Sequence, residues 1–82
     1  MIRIKYFAKY REWMQMSEEV LDVSPEDIGK LKRLIRDKHT NALKILDDPR
    51  CIVAVNQQIV HGDGVLLKSG DEVAFYPPVT GG

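Results

Sequence analysis

One strong helical pattern lies between two groups of strand-like segments in this chain of 82 residues. It begins at Ser24-Pro25-Glu26-Asp27, where serine can accept a hydrogen bond from an unpaired helical N–H and proline suits the first helical position. The apolar residues that follow at helical spacing are Ile28, Leu31, Leu34 and Ile35. The pattern predicts a helix of about 14 residues, capped by Ser24, whose apolar stripe packs on a sheet. Gly29 costs roughly 1 kcal/mol against alanine inside a helix, which suggests that a neighbouring segment approaches it closely.

The segments before this helix have the pattern of two strands joined by a short helix. The first strand is predicted from the alternation of polar positions with Ile2, Ile4, Tyr6 and Ala8, which form one buried face. Phe7 falls on the charged side of that strand. We expect a short helix within Lys9 to Met16 and a second strand, paired with the first, within Glu19 to Val23.

The segments after the helix predict a second short helix and three more strands. The short helix is expected to begin at Thr40 or Asn41. A continuous apolar run from Cys51 to Val55 is typical of a buried strand, and Asn56-Gln57 offers a tight turn out of it. The last two predicted strands are Gln58 to Val60 and Glu72 to Tyr76.

The predicted order is therefore strand, strand, helix, strand, strand, strand. This order favours an α+β fold of the β-grasp type: a mixed sheet of about five strands, with one main helix packed across it and one or two short helices. The first and last strands can then lie in the centre of the sheet. A ferredoxin-like α+β fold is the alternative, but it needs a second long helix. We expect residues 1–76 to form the domain and residues 77–82 to form an extended, flexible tail that ends in Gly-Gly.

Composition excludes several functional classes. Twelve basic residues balance twelve acidic ones, so no overall field favours nucleic acid or an anionic membrane. The apolar runs are too short to span a bilayer, and the N-terminus lacks the apolar core of a signal peptide. Cys51 is the single cysteine, which agrees with a reducing compartment. We therefore expect a cytoplasmic protein with no nucleic-acid or membrane partner.

The side chains show no pattern of a conventional active site. Cys51 lies in an apolar run, where a buried and inert thiol is expected, and His39 and His61 give no recognisable metal spacing with it. No glycine-rich phosphate loop is present. The chemically unusual group is the carboxylate of Gly82, which follows two stiff prolines and carries no crowding side chain.

The end of the chain resembles that of the molybdopterin synthase small subunits. The resemblance lies in Phe75-Tyr76-Pro77-Pro78-Val79-Thr80-Gly81-Gly82, preceded by Gly70-Asp71-Glu72-Val73-Ala74. Further similarity to that family lies in Tyr6-Phe7-Ala8, Arg11-Glu12 and Ala54-Val55-Asn56, so the resemblance spans the whole chain. The segment from Trp13 to Met16 departs from the family, where a leucine and a nearby glycine often follow the Arg-Glu pair.

The resemblance implies a ubiquitin-like sulfur carrier that is not an enzyme by itself. A ubiquitin-activating-enzyme-like adenylyltransferase that uses ATP would adenylate Gly82, and sulfur would then replace AMP to give a thiocarboxylate. The sulfur would pass to cyclic pyranopterin monophosphate in molybdenum cofactor biosynthesis, with the catalytic side chains on the large subunit of a two-plus-two heterotetramer. The chain itself would bind no cofactor or metal. A sulfur carrier for thiamine or tRNA thiolation, and a noncatalytic ubiquitin-like interaction module, remain the alternatives.

Energetics require the body of the domain to dock as well as the tail. Ordering the four residues from Val79 to Gly82 costs on the order of 4 to 8 kcal/mol, because each fixed backbone costs roughly 1 to 2 kcal/mol. The resemblance implies an apolar docking face on the sheet, for which the candidates are Phe7, Ile59 and Phe75. Phe75 lies two residues after Val73, so strand alternation would place both side chains on the buried face. A bulge or the end of the strand must therefore turn Phe75 outward if it is to belong to the docking face.

The remaining candidates lie in the tail and next to it. Arg11 is expected to meet an acidic group on the large subunit. The tail residues expected to contact the partners are Pro77, Pro78, Val79 and Thr80. Gly81 and Gly82 are expected to form the reacting terminus.

Overall fold

The computed structural model describes residues 1–78, apart from the side chains of Leu43 and Lys44. Within these residues one five-stranded sheet is formed by β1 (Ile2–Tyr6), β2 (Glu18–Leu21), β3 (Ile52–Val55), β4 (Gln58–Val60) and β5 (Glu72–Tyr76). The helices are α1 (Lys9–Met14), α2 (Ile28–Lys38) and α3 (Leu43–Leu46), the last preceded by a 3-10 turn at Thr40–Ala42.

The sheet has the predicted mixed topology. Its strand order is β2-β1-β5-β3-β4, so the first and last strands are neighbours near its centre. β1 and β5 run parallel, and every other neighbouring pair of strands is antiparallel. With one main helix, α2, this is the β-grasp arrangement expected from the order of the elements. Within residues 1–78, no helix combines the length and the apolar character needed to cross a membrane.

The core lies between α2 and one face of the sheet. The alternating pattern of β1 is confirmed for Ile2, Ile4 and Tyr6, which are all buried. From β5, Val73 and Phe75 enter the same core, and α2 contributes Ile28, Leu31 and Ile35. The side chains at the intervening strand positions are thereby left on the opposite face of the sheet.

The main helix begins later than predicted, and Ser24 is not its cap. Its N-cap is Asp27, whose Oδ1 accepts a hydrogen bond from Lys30 N over 2.8 Å, and the helix has 11 residues. Backbone hydrogen bonds hold the preceding segment extended: Leu67 N donates to Glu26 O over 2.9 Å. Pro25 is buried in that segment and does not begin the helix. The sequence could not show that a distant loop pins these residues.

Two residues expected on the buried face lie elsewhere. Leu34 is exposed, because at 3.6 residues per turn it lies about a quarter of a turn from the centre of the apolar stripe of α2. Ala8 is also exposed and has a φ of 54°, because the chain turns there from β1 into α1. The first strand therefore ends at Tyr6 and not at Ala8.

Gly29 does lie against a neighbouring segment, as expected. A Cβ atom at Gly29 would come within 3.3 Å of the Asp63 Cβ and 3.4 Å of the Asp63 carbonyl oxygen. The Gly29 N–H donates to that same carbonyl over 2.9 Å. The neighbour that the sequence left unidentified is thus the turn between β4 and β5.

Candidate docking site at the base of the C-terminal segment

The face of the sheet opposite α2 is divided into a charged half and an apolar half. On the charged half, Arg3 of β1 pairs with Glu18 of β2 over 3.2 Å. Lys5 pairs across the parallel strands with Glu72 over 3.3 Å. In each pair the two charges neutralise each other. The apolar half is therefore the part of this face whose exposed surface is a candidate for docking.

The apolar half forms an open groove of about 650 Å³, called the apolar groove below. Its floor includes Ala54, which is buried beneath neighbouring side chains. Ile59 of the edge strand β4 lies at its wall with 62% of its surface exposed. The other wall is formed by Phe7, Tyr76, Pro77 and Pro78. The groove therefore lies at the point where the chain leaves β5 toward Gly82.

Phe7 and Tyr76 stack on each other at this point. Their ring centroids are 4.4 Å apart and their planes differ by 9°. The Phe7 N–H donates to the carbonyl of Phe75 over 3.2 Å, which extends the contact of the two central strands. The prediction that Phe7 lies outside the core is confirmed, since its side chain is half-buried within the groove wall.

The prediction that Phe75 faces the docking surface is wrong. Phe75 is fully buried, and its ring stacks on Tyr6 with centroids 6.0 Å apart. The pairing of β1 with β5 runs without interruption to Tyr6 and Phe75, so no bulge turns the side chain outward. Tyr76 takes the outward place. Sequence reasoning missed Tyr76, although its alternation with the buried Val73 and Phe75 was available as a signal.

The other predicted residues fall into three groups. Ile59, Pro77 and Pro78 line the apolar groove. Arg11 is exposed on α1, with no ion pair or side-chain hydrogen bond to any residue between 1 and 78, and it does not line the groove. The predictions for Val79, Thr80, Gly81 and Gly82 concern positions outside the described residues.

Two other kinds of site come into question from the sequence: a reactive Cys51 and a metal cluster. Burial raises the pKa of the Cys51 thiol, which disfavours the nucleophilic thiolate. Its sulfur lies 3.8 Å from the carbonyl oxygen of Ile52. Among residues 1–78, no group of three or more His, Cys, Asp or Glu side chains is arranged to hold a metal ion. The candidate site is thus the apolar groove beside the segment from Tyr76 to Pro78.

The fold and this surface together define a class: a ubiquitin-like β-grasp domain that presents an apolar face beside its C-terminal segment. The family model described as the ThiS family matches residues 4–82. The chain belongs to this family. It is 34% identical to the molybdopterin synthase sulfur carrier subunit of Escherichia coli strain K12, over 100% of both chains, which confirms the resemblance seen in the sequence.

Solved structures support the same fold. SAMP1 from Haloferax volcanii superposes with a TM-score of 0.84 at 24% identity, covering 99% of this chain and 98% of that one. Subunit 1 of the molybdopterin-converting factor from Helicobacter pylori was solved in complex with subunit 2. The match to that complex has a TM-score of 0.72 at 22% identity and covers 99% of this chain and 97% of the other. At these identities the likeness shows the β-grasp fold.

Proposed function

We propose that this chain is the sulfur carrier subunit of a molybdopterin synthase and that Gly82 carries the sulfur. The observation that carries the proposal is the apolar groove, whose wall includes Tyr76, Pro77 and Pro78, the residues that lead into Gly81-Gly82. Similarity over the full length to the sulfur carrier subunit of E. coli supports it.

The first step is activation of the Gly82 carboxylate. A carboxylate is a poor electrophile, so an oxygen of Gly82 attacks the α-phosphate of ATP on a ubiquitin-activating-enzyme-like adenylyltransferase and pyrophosphate leaves. A sulfur nucleophile at the oxidation level of hydrosulfide then attacks the acyl carbon and AMP leaves. The product is a thiocarboxylate, formed with no net oxidation or reduction. The ATP belongs to the activating enzyme, and the carrier itself holds no cofactor.

The second step delivers sulfur to the large subunit of the synthase. The thiocarboxylate sulfur forms a bond to a carbon of cyclic pyranopterin monophosphate, and the bond from that carbon to an oxygen substituent breaks, so that the oxygen leaves with the electron pair. Water then cleaves the acyl–sulfur bond, which restores the Gly82 carboxylate and leaves a thiolate on the pterin carbon. A dithiolene contains two sulfurs, so two carriers are consumed for each product. We further propose that this chain forms a two-plus-two heterotetramer with the large subunit, in the cytoplasm. Catalytic side chains belong to the partner.

The groove supplies the binding free energy that the C-terminal residues lack. Ordering Val79 to Gly82 costs on the order of 4 to 8 kcal/mol, and these residues offer little apolar area in return. Ile59 and the Phe7–Tyr76 stack expose apolar surface within one groove. Burying such side chains contributes about 1.5 to 3 kcal/mol each when burial is complete. Arg11, which has no ionic partner among residues 1–78, is the proposed contact for an acidic group of the large subunit.

Intact mass spectrometry tests the activation step. The protein is incubated with a molybdopterin synthase adenylyltransferase, ATP and hydrosulfide and is then weighed. We expect a gain equal to the mass of one sulfur minus one oxygen, located in the C-terminal peptide. An unchanged mass, in a reaction where a known carrier is converted, contradicts the proposal.

Partner choice separates this proposal from a carrier of another pathway. The thiocarboxylated protein is mixed with a molybdopterin synthase large subunit and cyclic pyranopterin monophosphate, or with a thiamine-pathway thiazole synthase. We expect complex formation and product only with the first. Sulfur transfer confined to the second partner would reassign the pathway and leave the terminal chemistry intact.

A further inference from the structure

We infer that Phe7 is a positioning residue: by stacking on Tyr76 it sets the direction in which the C-terminal segment leaves the sheet. This inference rests on the proposed function, because direction matters only if Gly82 has to reach a reaction centre. It assigns Phe7 a task beyond contributing apolar area to the groove. Loss of contact area raises the concentration of large subunit needed for half-saturation, whereas a wrong direction lowers the rate constant at saturation. Kinetic measurements can therefore distinguish the two roles of Phe7.

The stack joins the two central strands at their ends. β1 pairs with β5 in parallel up to Tyr6 and Phe75, and Tyr76 is the last residue of β5. Phe7 directly follows β1 and Tyr76 directly follows Phe75, and the two rings lie nearly parallel with centroids 4.4 Å apart. The backbone of Tyr76 pairs with Ile52 of β3 on one side. On the other side, where pairing with β1 ends at Phe75, the Tyr76 ring is held by the ring of Phe7.

The backbone of Phe7 is fixed by two hydrogen bonds. Its N–H donates to the Phe75 carbonyl over 3.2 Å, and its own carbonyl accepts from Tyr10 N over 3.1 Å. The next residue, Ala8, takes a φ of 54° and turns the chain into α1. Both backbone polar groups of Phe7 are thus fixed, one to β5 and one to α1.

The two prolines transmit the orientation of Tyr76 outward. A residue that precedes proline is confined to extended conformations, and proline itself has φ fixed near −65°. Both restrictions apply to Pro77, and the first applies to Tyr76. A tilt of about 10° at Tyr76 displaces the end of a three-residue stem, roughly 10 Å long, by almost 2 Å. Displacements of that size matter for reacting groups, whose alignment controls rate.

Ile59 provides a matched control within the same groove. It lies on β4, three strands from β1 in the order β1-β5-β3-β4, which corresponds to about 14 Å at roughly 4.8 Å per strand. It lines the groove but takes no part in the stack. Substitution of Ile59 should therefore change docking without changing the direction of the stem.

The kinetic test uses the thiocarboxylated full chain, a molybdopterin synthase large subunit and cyclic pyranopterin monophosphate in single-turnover reactions. F7L retains apolar bulk but removes the stack, and we expect the rate constant at saturating large subunit to fall about two- to tenfold, the range that aromatic pairing supports. Y76L should reproduce this fall by removing the stack from the other side. F7Y keeps an aromatic ring at this position and should retain the wild-type rate constant. I59A should leave that rate constant unchanged and raise the concentration of large subunit needed for half-saturation.

A second readout does not depend on activity. Residual dipolar couplings of the Cα–Hα bonds of Pro77 and Pro78 report the direction of the stem in the free protein. We expect them to change in F7L and Y76L, and to remain at wild-type values in F7Y and I59A. This measurement keeps the inference testable if the wild-type chain forms no product, a result that would contradict the proposed function.

The inference is overturned by either of two results. One is an F7L variant with wild-type couplings at Pro77 and Pro78. The other is a set of stack variants that alter only the half-saturation concentration, as I59A does, because Phe7 then contributes docking area alone.

Discussion

Asn56 and Asp71 lock the turn between β3 and β4 onto the start of β5. Asn56 Nδ2 donates to Asp71 Oδ1 over 2.9 Å, and Asn56 Oδ1 accepts from Glu72 N over 3.0 Å. The second carboxylate oxygen of Asp71 accepts from Lys68 N over 2.9 Å. Asp71 is the one buried charged residue in the described part of the chain, and the hydrogen bonds to its carboxylate come from Asn56 and Lys68 in these loops. This lock fixes where the strand that leads to the tail begins.

Replacement of Asn56 by alanine should lower the free energy of unfolding by about 1 to 3 kcal/mol. The change leaves the buried Asp71 carboxylate without one donor, and an unsatisfied buried group costs an amount of this order. Asn56 also has a φ of 50°, which asparagine and glycine adopt more readily than alanine. Urea denaturation measures the loss. N56G is the control, because it removes the same hydrogen bonds but adds no backbone strain, and it should therefore be less destabilising than N56A. Equal stability of N56A and wild type would contradict the proposed role of Asn56.

Glu19 should make the domain sensitive to acid. Burial alone would raise the pKa of Glu19, but hydrogen bonds from Lys38 and His39 outweigh burial and hold its pKa below the usual value of 4.5. The distances are 2.7 Å from Lys38 Nζ and 3.0 Å from His39 Nε2. Because the unfolded chain binds the proton more readily, this contribution to stability is complete above about pH 4.5 and is lost as the pH falls through the lower folded pKa.

Denaturation midpoints between neutral pH and pH 3 test that expectation. The E19Q variant should be less stable than wild type at neutral pH and should lose less stability on acidification. E18Q is the control, because Glu18 lies on the same strand in an exposed ion pair with Arg3, which is expected to contribute at most about 1 kcal/mol. Parallel acid profiles for E19Q and wild type would contradict the role of Glu19.

Replacement of Gly29 by alanine should not give the usual gain in helix stability. Alanine is favoured over glycine by about 1 kcal/mol inside a helix. Here the new Cβ would lie 3.3 Å from the Asp63 Cβ and 3.4 Å from Asp27 Oδ1, so the turn at Asp63 must shift to admit it. We expect thermal unfolding of G29A to show a stability gain well below about 1 kcal/mol, and the full gain would show that the turn yields freely.

Replacement of Ile59 by aspartate should weaken binding to a molybdopterin synthase large subunit by about tenfold or more, as expected for the loss of a buried aliphatic contact. Ile59 is 62% exposed in the free protein, so the change should leave folding intact. V20D is the matched control, since Val20 is a 50% exposed aliphatic side chain on β2 that does not line the apolar groove. Isothermal titration calorimetry gives the affinities, and equal losses for I59D and V20D would exclude the groove as the docking site.

Addition of one residue after Gly82 should abolish sulfur transfer while leaving the fold unchanged. The added residue moves the reacting carboxylate away from Gly82 and places a side chain beside it. Circular dichroism and thermal unfolding should match wild type, because the described core is formed by residues between Ile2 and Phe75, which the change leaves intact. Product formation by the extended chain at the wild-type rate would contradict the terminal-acyl mechanism.

Much of the fold could be predicted because burial leaves a periodic trace in the sequence. Alternation in β1 identified Ile2, Ile4 and Tyr6 as core residues, and helical spacing identified the stripe of α2. The order of strands and helices then left few arrangements that give each apolar face a partner. The Pro-Pro-Val-Thr-Gly-Gly ending and its resemblance directed attention to the end of the sheet where the apolar groove lies.

Contacts between distant segments determined what the sequence left open. Asp27 replaces Ser24 as the helix cap because backbone bonds to the segment near Leu67 hold the preceding residues extended. The apolar groove brings together Phe7, which follows β1, Ile59 of β4 and Tyr76 of β5. No local pattern shows that these three strands lie in one sheet in the observed order. The spacing of apolar residues in the sequence indicates which side chains of a helix or strand face the core, because side chains repeat every 3.6 residues in a helix and every two in a strand. Which residues share a surface depends on strand pairing, and that is a property of the tertiary structure alone.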